Sequence, residues 1–276
     1  MKWPTVACIC ITKDRRVFLD RAVKYFQRGT YLGKHWMVVI DGSREPRNWL
    51  LSSSASYFHE PNTPSNGIGT YFHEPNTPSN GIGNARNRAC EESKGADIIV
   101  QWDDDDWQHP DRITRQVKTL LESPGDGLAC TSQYYWYHLQ QGQAVKAKSW
   151  SGGEGSMGAT FAYWRDTWKK TPFQDVIGED IPFWGELRDR GCPLLDAKDP
   201  DLVVYMRHNR NGSALTNYQF SDEDTKEARK LIGPDVDFYD GIGELLPMAN
   251  WNHPNAPGSK MHIMNPLQQL WGNRFR

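Results

Sequence analysis

Short, continuous apolar runs alternate along the chain with stretches whose apolar residues recur every three or four positions. Val6–Thr12 and residues 36–41 are apolar runs typical of strands that are covered on both faces. Between these two runs, a helical stripe is formed by Phe18, Leu19, Ala22, Val23, Tyr25 and Phe26. The order of strand, helix and strand predicts parallel pairing through a right-handed crossover.

The same alternation continues through the middle of the chain. We predict a helix over residues 85–94, with Asn84 as its N-cap and Gly95 just beyond its end. Residues 97–102 predict a strand, and Pro110 opens the next helix, whose apolar stripe is Ile113, Val117, Leu120 and Leu121. The predicted fold class is therefore α/β with a mostly parallel central sheet, where ligands bind at the carboxyl ends of the strands.

The pattern is less regular after residue 150. Strands are predicted over residues 159–164 and 202–206, on either side of a helix that contains Phe183, Trp184 and Leu187. Ser221 predicts the N-cap of a last helix. We therefore expect one large domain over residues 1–215, followed by a helix and an irregular tail over residues 216–276.

A tandem repeat interrupts this order. Residues 57–69 recur letter for letter as residues 71–83, with a period of 14. Two copies are too few for a solenoid, and their Pro, Asn, Gly and Ser content predicts loops. We interpret residues 57–83 as a loop duplication whose first copy is the insertion, and its histidines, His59 and His73, as surface residues.

Composition narrows the possible functions only modestly. The net charge of −2 provides no basic surface for a polyanion, which lowers the expectation of a nucleic-acid partner. The 12 tryptophans and 11 tyrosines fit either core packing or the stacking of sugar rings. The five cysteines show no metal-ligand spacing and fit a reducing compartment. Because we find no signal peptide and no transmembrane segment, we expect a soluble, cytoplasmic protein.

Four consecutive aspartates, residues 103–106, lie between Trp102 and Trp107 directly after a predicted strand. Like charges this close raise one another's pKa and destabilise a fold unless a cation offsets them. Oxygen ligands of this kind suit Mg²⁺ or Mn²⁺, which also bind phosphate oxygens. The aspartate tetrad therefore predicts a divalent-cation site for a phosphorylated substrate, the alternative being a solvated acidic surface.

Six motifs, in order, resemble those of family 2 glycosyltransferases, which have the Rossmann-like GT-A fold. They cover roughly residues 5–215 and lie at residues 11–15, 38–43, 83–87, 102–110, 178–180 and 207–208. The second strand departs from the family pattern, since a single Asp41 precedes Gly42 where two aspartates are usual. The repeat also lengthens the connection from Asp41 to Arg86.

The resemblance implies an inverting transfer of a sugar from a nucleotide-diphosphate donor, expected to be a UDP-sugar, to a hydroxyl acceptor. It implies donor contacts by Thr12, Arg15, Asp41, Arg86, Asp103, Asp104 and Trp107. It further implies Mn²⁺ or Mg²⁺ on Asp103, Asp105 and His208, and catalysis by Asp180 with Glu179 beside it. Asp104 and Asp106 are expected to orient the turn.

Plainer roles remain open for several of these residues. His208 could be a surface histidine, Arg86 an exposed helical arginine and Trp107 a packing residue. The acids Glu179 and Asp180 could cap a helix N-terminus.

Two other classes of protein compete with this interpretation. A sugar-1-phosphate nucleotidyltransferase shares the α/β layout, but its glycine-rich basic signature is not reproduced after the first strand, in residues 12–16. A non-catalytic carbohydrate-binding protein would use the aromatic residues, yet it would not explain the tetrad together with Asp180 and His208. The acceptor stays open among glycans, proteins, metabolites and modified nucleic-acid bases.

Overall fold

The computed structural model describes residues 2–43, 67–73, 82–148, 158–176, 178–208 and 219–245. Its strands are β1 Val6–Thr12, β2 His35–Asp41, β3 Gly67–His73, β4 Ile98–Gln101, β5 Trp107–Gln108, β6 Leu128–Cys130, β7 Gln133–His138, β8 Gln143–Lys148, β9 Ala162–Trp164, β10 Leu194–Asp196 and β11 Val203–Arg207. Its helices are α1 Arg16–Gln27, α2 Gly83–Glu92, α3 Arg112–Leu120, α4 Arg165–Lys170, α5 Asp180–Asp189, α6 Asp222–Ile232 and α7 Val236–Leu245. Short 3₁₀ turns occupy Gly158–Thr160 and Gly233–Asp235.

The larger sheet has the strand order β10-β6-β9-β4-β1-β2-β3. Strand β1 lies inside it and pairs in parallel with β2 and with β4. Only β9 runs antiparallel among these seven strands, against both β4 and β6. The prediction of a mostly parallel central sheet is thus confirmed, and the carboxyl ends of β1, β2 and β4 lie side by side.

A smaller sheet, in the order β5-β11-β7-β8, stands beside this edge. Strand β11 pairs in parallel with β7 and in antiparallel fashion with β5, which directly follows the aspartate tetrad. The backbone N–H of Met206 in β11 donates to Asp106 Oδ1 at 3.0 Å. This sheet therefore brings the residues that follow β11 to the tetrad, although 100 positions separate them in the chain.

Helices cover both faces of the larger sheet. All six residues of the predicted stripe on α1 are buried, in one cluster with Cys8 and Cys10 of β1. Ile9, between those cysteines, points to the opposite face and packs in a cluster with residues of α2 and α5. This alternation is the period of two expected for a strand, and it explains why β1 is apolar throughout. All five cysteines are free and buried, as small apolar residues would be.

The helices after residue 220 pack on the same core as α1. Ser221 caps α6 as predicted, because its Oγ accepts from the Asp224 N–H at 3.0 Å. Ala228, Ile232 and Tyr239 belong to the α1 cluster. The separation of residues 216–276 from the preceding domain stays a prediction. Among the described helices, none is long and apolar enough to cross a bilayer.

Three local predictions were wrong in detail. Helix α2 begins at Gly83 with Ile82 before it, so Asn84 is not the N-cap. Residues 159–164 are not one strand, since the Gly158–Thr160 turn precedes β9.

The third correction concerns the repeat, whose composition predicts loops only. Residues 67–73, at the junction of the two copies, form β3, because β2 provides a parallel backbone partner that outweighs the loop-like composition. The first copy up to residue 66 and residues 74–81 lie outside the described residues.

Candidate active site

The tetrad follows β4 at the carboxyl edge of the larger sheet, but its four carboxylates point in different directions. Trp102 anchors the start of the turn from the core, where its Nε1 donates to the Ala22 carbonyl at 3.2 Å. The side chain of Asp103 is 26% exposed, whereas Asp104, Asp105 and Asp106 are buried. The prediction of a solvated acidic surface does not fit this burial.

Arg15 bridges the two middle carboxylates of the tetrad. Its Nη2 lies 2.8 Å from Asp104 Oδ1, and its Nη1 donates to Asp105 Oδ2 at 2.6 Å. Thr12 also donates to Asp104 Oδ2 at 2.6 Å. Asp14 has a left-handed φ of 52°, a conformation that aspartate tolerates, and it turns the chain between these two residues. The end of β1 is thus built around the tetrad.

The environments of Asp104 and Asp105 drive their pKa values apart. Burial raises the pKa of Asp104 to about 7, despite the opposing effect of Arg15. Burial acts on Asp105 in the same direction, but Arg15 and the hydrogen bond with His208 outweigh it and hold the pKa of Asp105 well below its usual range. Asp105 is therefore the carboxylate of this pair that stays ionised near neutral pH.

His208 lies directly against Asp105. Its Nε2 is 3.1 Å from Asp105 Oδ2, and its ring, which is 1% exposed, stacks on Phe18 with centroids 4.9 Å apart. A surface position for His208 is excluded. Two ligands at right angles on Mg²⁺ or Mn²⁺, each about 2.1 Å from the ion, would lie about 3 Å apart. The 3.1 Å separation is a hydrogen-bond distance and is also close to this ligand spacing, so Asp105 and His208 could hold one divalent ion together.

Asp103, a predicted third ligand, makes a different contact. Its Oδ1 lies 3.2 Å from Arg86 Nη2, and Arg86 Nε donates to Glu179 Oε1 at 2.6 Å. Within the described part of the chain, no three His, Cys, Asp or Glu side chains converge as a metal-binding group. Water and phosphate oxygens commonly complete such sites, so the Asp105–His208 pair fits a cation held mainly by its substrate.

Arg86 is buried rather than an exposed helical arginine. Its side chain is 4% exposed and bridges Asp103 to Glu179. These two residues belong to separate motifs and lie 76 positions apart in the chain. Although burial disfavours its charged form, Asp103 and Glu179 raise the pKa of Arg86 above its ordinary value. Arg86 therefore links the tetrad to the segment of the predicted base.

Asp180 is the first residue of α5 and accepts from the Gly158 backbone N–H at 3.1 Å. Burial, followed by repulsion from Glu179, raises the pKa of Asp180 to about 6. Glu179, at the N-cap position, makes no capping bond with its side chain. A carboxylate with a pKa just below neutral suits a general base, because it is ionised at pH 7 and still basic enough to accept a proton.

Asp41 ends β2 with both carboxylate oxygens engaged. Its Oδ1 accepts from the Ser43 N–H at 2.8 Å, and its Oδ2 accepts from the Tyr71 hydroxyl at 2.7 Å. The sequence does not single out Tyr71, because it lies in the second copy of the repeat, whose composition predicts a loop. Tyr57 is the equivalent residue of the first copy, and the local sequence does not show which of the two contacts Asp41.

Trp107 packs in the core instead of lining a pocket. It is 3% exposed within the α1 cluster, and its Nε1 donates to Asp235 Oδ2 at 3.3 Å. Arg21 and Arg28 contact the same Asp235. The structure therefore supports the packing role that the sequence left open, and the donor contact of Trp107 stays a prediction.

Fold and site together define an α/β protein of the GT-A type. A mostly parallel sheet gathers Thr12, Asp41 and the tetrad at one edge, and the smaller sheet adds His208. Residues 8–175 match the sequence profile described as Glycosyl transferase family 2. Because this match covers more than half of the chain, the protein belongs to glycosyltransferase family 2.

Three solved structures share this fold at low sequence identity. The structure of S. aureus TarS 1-349 with UDP-GlcNAc has a TM-score of 0.58 and 14% identity over 88% of this chain and 70% of that chain. The structure of GalNAc-T7 with UDP, GalNAc and Mn²⁺ has a TM-score of 0.57 and 14% identity over 86% of this chain and 50% of that chain. The structure of the mannosyltransferase PcManGT from Pyrobaculum calidifontis with GDP-Man and Mn²⁺ has a TM-score of 0.55 and 16% identity over 89% of this chain and 74% of that chain. No curated protein matches the sequence.

Proposed function

We propose that the protein is a metal-dependent, inverting glycosyltransferase that moves a sugar from a UDP-sugar to a hydroxyl acceptor. The observation that carries this proposal is the Asp105–His208 pair at the carboxyl edge of the sheet, with its 3.1 Å spacing of oxygen and nitrogen. Three neighbours of the same fold were solved with a nucleotide or nucleotide sugar, and two of them with Mn²⁺. The cation is thus expected to be Mn²⁺ or Mg²⁺.

Asp105 and His208 would hold the cation, with Asp103 as a further ligand once its contact with Arg86 is exchanged. A bound divalent cation supplies positive charge that stabilises the departing diphosphate. On the nucleotide side, Asp41 at the end of β2 would accept a hydrogen bond from the base. Thr12 and Arg15 end β1 beside the tetrad, and Arg86 adds a second guanidinium near the phosphates.

Asp180 would act as the general base of the transfer. Its carboxylate takes the proton of the acceptor hydroxyl while the acceptor oxygen bonds to the anomeric carbon. The bond from that carbon to the diphosphate oxygen breaks on the opposite side, so the nucleoside diphosphate leaves with the electron pair and the configuration inverts. Asp180 then returns its proton to solvent. Glu179, fixed by Arg86, raises the basicity of Asp180 through its charge.

The wider assignment follows from the same features. The five free, buried cysteines fit a reducing compartment, which supports a cytoplasmic enzyme. We place the catalytic domain at residues 1–215. The acceptor is a glycan, a protein, a metabolite or a modified nucleic-acid base that offers a hydroxyl group.

A donor screen tests the proposal directly. UDP-, GDP- and dTDP-sugars are incubated with the protein and Mn²⁺, and release of the nucleoside diphosphate is measured with water as the acceptor. We expect hydrolysis of a UDP-sugar that stops when EDTA is added and that Asp180→Asn lowers at least 100-fold, the range of general-base catalysis. Asp166→Asn, at a 65% exposed carboxylate on α4, is the matched control and should hydrolyse at the wild-type rate. Hydrolysis that survives both EDTA and Asp180→Asn would contradict the proposal.

A further inference from the structure

Arg112 is a fully buried cation whose hydrogen bonds go to amide and carbonyl oxygens. It is 0% exposed, and its guanidinium donates to the side chains of Gln108 and Gln116. It also donates to two backbone carbonyls, those of Gln101 at 2.6 Å and Ala159 at 2.5 Å. Burying a charge is costly, so such a residue needs a reason beyond packing. The two carbonyls show what it holds together: the end of β4 and the Gly158–Thr160 turn.

A second contact from α3 fixes the same turn. Gln116 accepts from Arg112 Nε at 3.0 Å and donates through its Nε2 to the Thr160 carbonyl. The Thr160 hydroxyl in turn accepts from the Thr131 N–H at 3.3 Å. Ala159 and Thr160 are buried, so these bonds are shielded from water. The Gly158–Thr160 turn is therefore clamped by Arg112 and Gln116 against the sheet.

Gly158, at the start of this turn, lies so close to Asp180 that no residue type with a side chain would fit there without a shift. Its N–H donates to Asp180 Oδ2 at 3.1 Å. A Cβ at this position would stand 2.5 Å from Asp180 Cβ and 2.7 Å from its Oδ2. Carbon atoms pack at about 3.5–4.0 Å, so an alanine here would push the Asp180 side chain away by about 1 Å.

We infer that Gly158 is a positioning residue for Asp180, held in place by the clamp of Arg112 and Gln116. The inference rests on the proposed role of Asp180 as the general base. A displacement of about 1 Å at a reacting group can lower a rate about 100-fold, because the base no longer lines up with the acceptor hydroxyl. The three atoms nearest to a Cβ at residue 158 all belong to Asp180, so we expect the donor site to be little affected.

The test compares Gly158→Ala with Gly185→Ala, which adds a Cβ on α5, the helix of Asp180, where no atom lies within 4 Å. Donor hydrolysis gives kcat and KM across pH, and calorimetry gives the affinity for UDP with Mn²⁺. We expect Gly158→Ala to lower kcat about 100-fold, with KM and UDP affinity within twofold of wild type. The acidic limb of its pH–kcat profile should move to higher pH, because the Gly158 N–H lowers the pKa of Asp180 and the displaced side chain would lose this bond. Gly185→Ala should match wild type.

The outcomes separate the inference from the function on which it rests. A Gly158→Ala protein with kcat within twofold of wild type, while Asp180→Asn is inactive, overturns the positioning role alone. An active Asp180→Asn protein overturns the proposed base and the inference with it. If Gly158→Ala fails to fold, Gln116→Met tests the clamp in its place. This variant removes the bonds of Gln116 to Thr160 and to Arg112, and should lower kcat about tenfold at unchanged UDP affinity. Wild-type kcat in that variant overturns the clamp.

Discussion

Arg15 forms a salt bridge with a carboxylate oxygen that a divalent cation would also bind. Its Nη1 lies 2.6 Å from Asp105 Oδ2, the atom that also faces His208. An ion between Asp105 and His208 would therefore meet the guanidinium, and the two cations should compete. With a 23% exposed side chain, Arg15 has access to solvent, and it can move toward the diphosphate of an incoming donor.

Arg15→Met removes this competitor. A hydrogen bond to a charged group contributes about 1.5–3 kcal/mol, and the partial exposure of Arg15 places this contact near the lower value. Without nucleotide, the variant should therefore bind Mn²⁺ about tenfold more tightly than wild type. The effect on UDP binding should be the opposite, because the variant lacks the guanidinium that would contact the diphosphate. UDP affinity at saturating Mn²⁺ should fall about tenfold.

Titration calorimetry measures both quantities in one protein preparation. Lys24→Met is the control, because it removes one exposed charge from α1, the helix that Arg15 precedes, without touching the tetrad. The melting temperature provides a second test. Without metal, Arg15→Met should have a lower melting temperature than wild type, because Asp104 and Asp105 lose their counter-charge. Mn²⁺ should restore much of this difference in melting temperature. Weaker binding of Mn²⁺ alone by Arg15→Met would refute the competition.

Three further predictions concern other parts of the site. Asp180→Asn should raise the free energy of unfolding by about 1–2 kcal/mol at pH 8 and change it little at pH 3. Burial and Glu179 raise the pKa of Asp180 in the folded protein to about 6, so protonated Asp180 favours folding in acid, and this contribution is lost as pH rises through 6. Equal denaturation curves at pH 8 would contradict this. Tyr71→Phe leaves Asp41 Oδ2 without its 2.7 Å donor, and should cost about 1–2 kcal/mol in urea unfolding and weaken UDP binding; unchanged values would exclude that support. Deletion of residues 57–70 should preserve UDP binding, because it keeps Tyr71–His73, the part of β3 that pairs with the end of β2; lost binding would show that the first copy is structural.

Sequence patterns predicted those parts of the fold whose signals are local. The boundaries of β1 agree with its apolar run, and the stripe on α1 is buried as its spacing indicated. The tetrad was recognised for the same reason, since four like charges after a strand are conspicuous within ten residues. β3 was missed because its pairing with β2, rather than its own composition, makes it a strand.

The partners within the site could not be predicted in this way. Arg86 and Glu179 are 93 positions apart, and Arg15 reaches Asp105 across 90. Nothing local indicates that these cations face those carboxylates, because the contacts exist only once parallel strands align their ends. Gly158 is similar, because the residue that leaves no room for a side chain there, Asp180, lies 22 positions further along the chain.

The central claim is that a divalent cation on Asp105 and His208 binds the diphosphate of the donor. Its most direct test is UDP affinity by calorimetry at increasing Mn²⁺, for wild type and for Asp105→Ala, with Asp166→Ala as the surface control. We predict that UDP binding by wild type and by Asp166→Ala rises at least tenfold with Mn²⁺, and that Asp105→Ala shows no such rise. UDP binding that is indifferent to Mn²⁺ in the wild type, or a full Mn²⁺ response in Asp105→Ala, would contradict the claim.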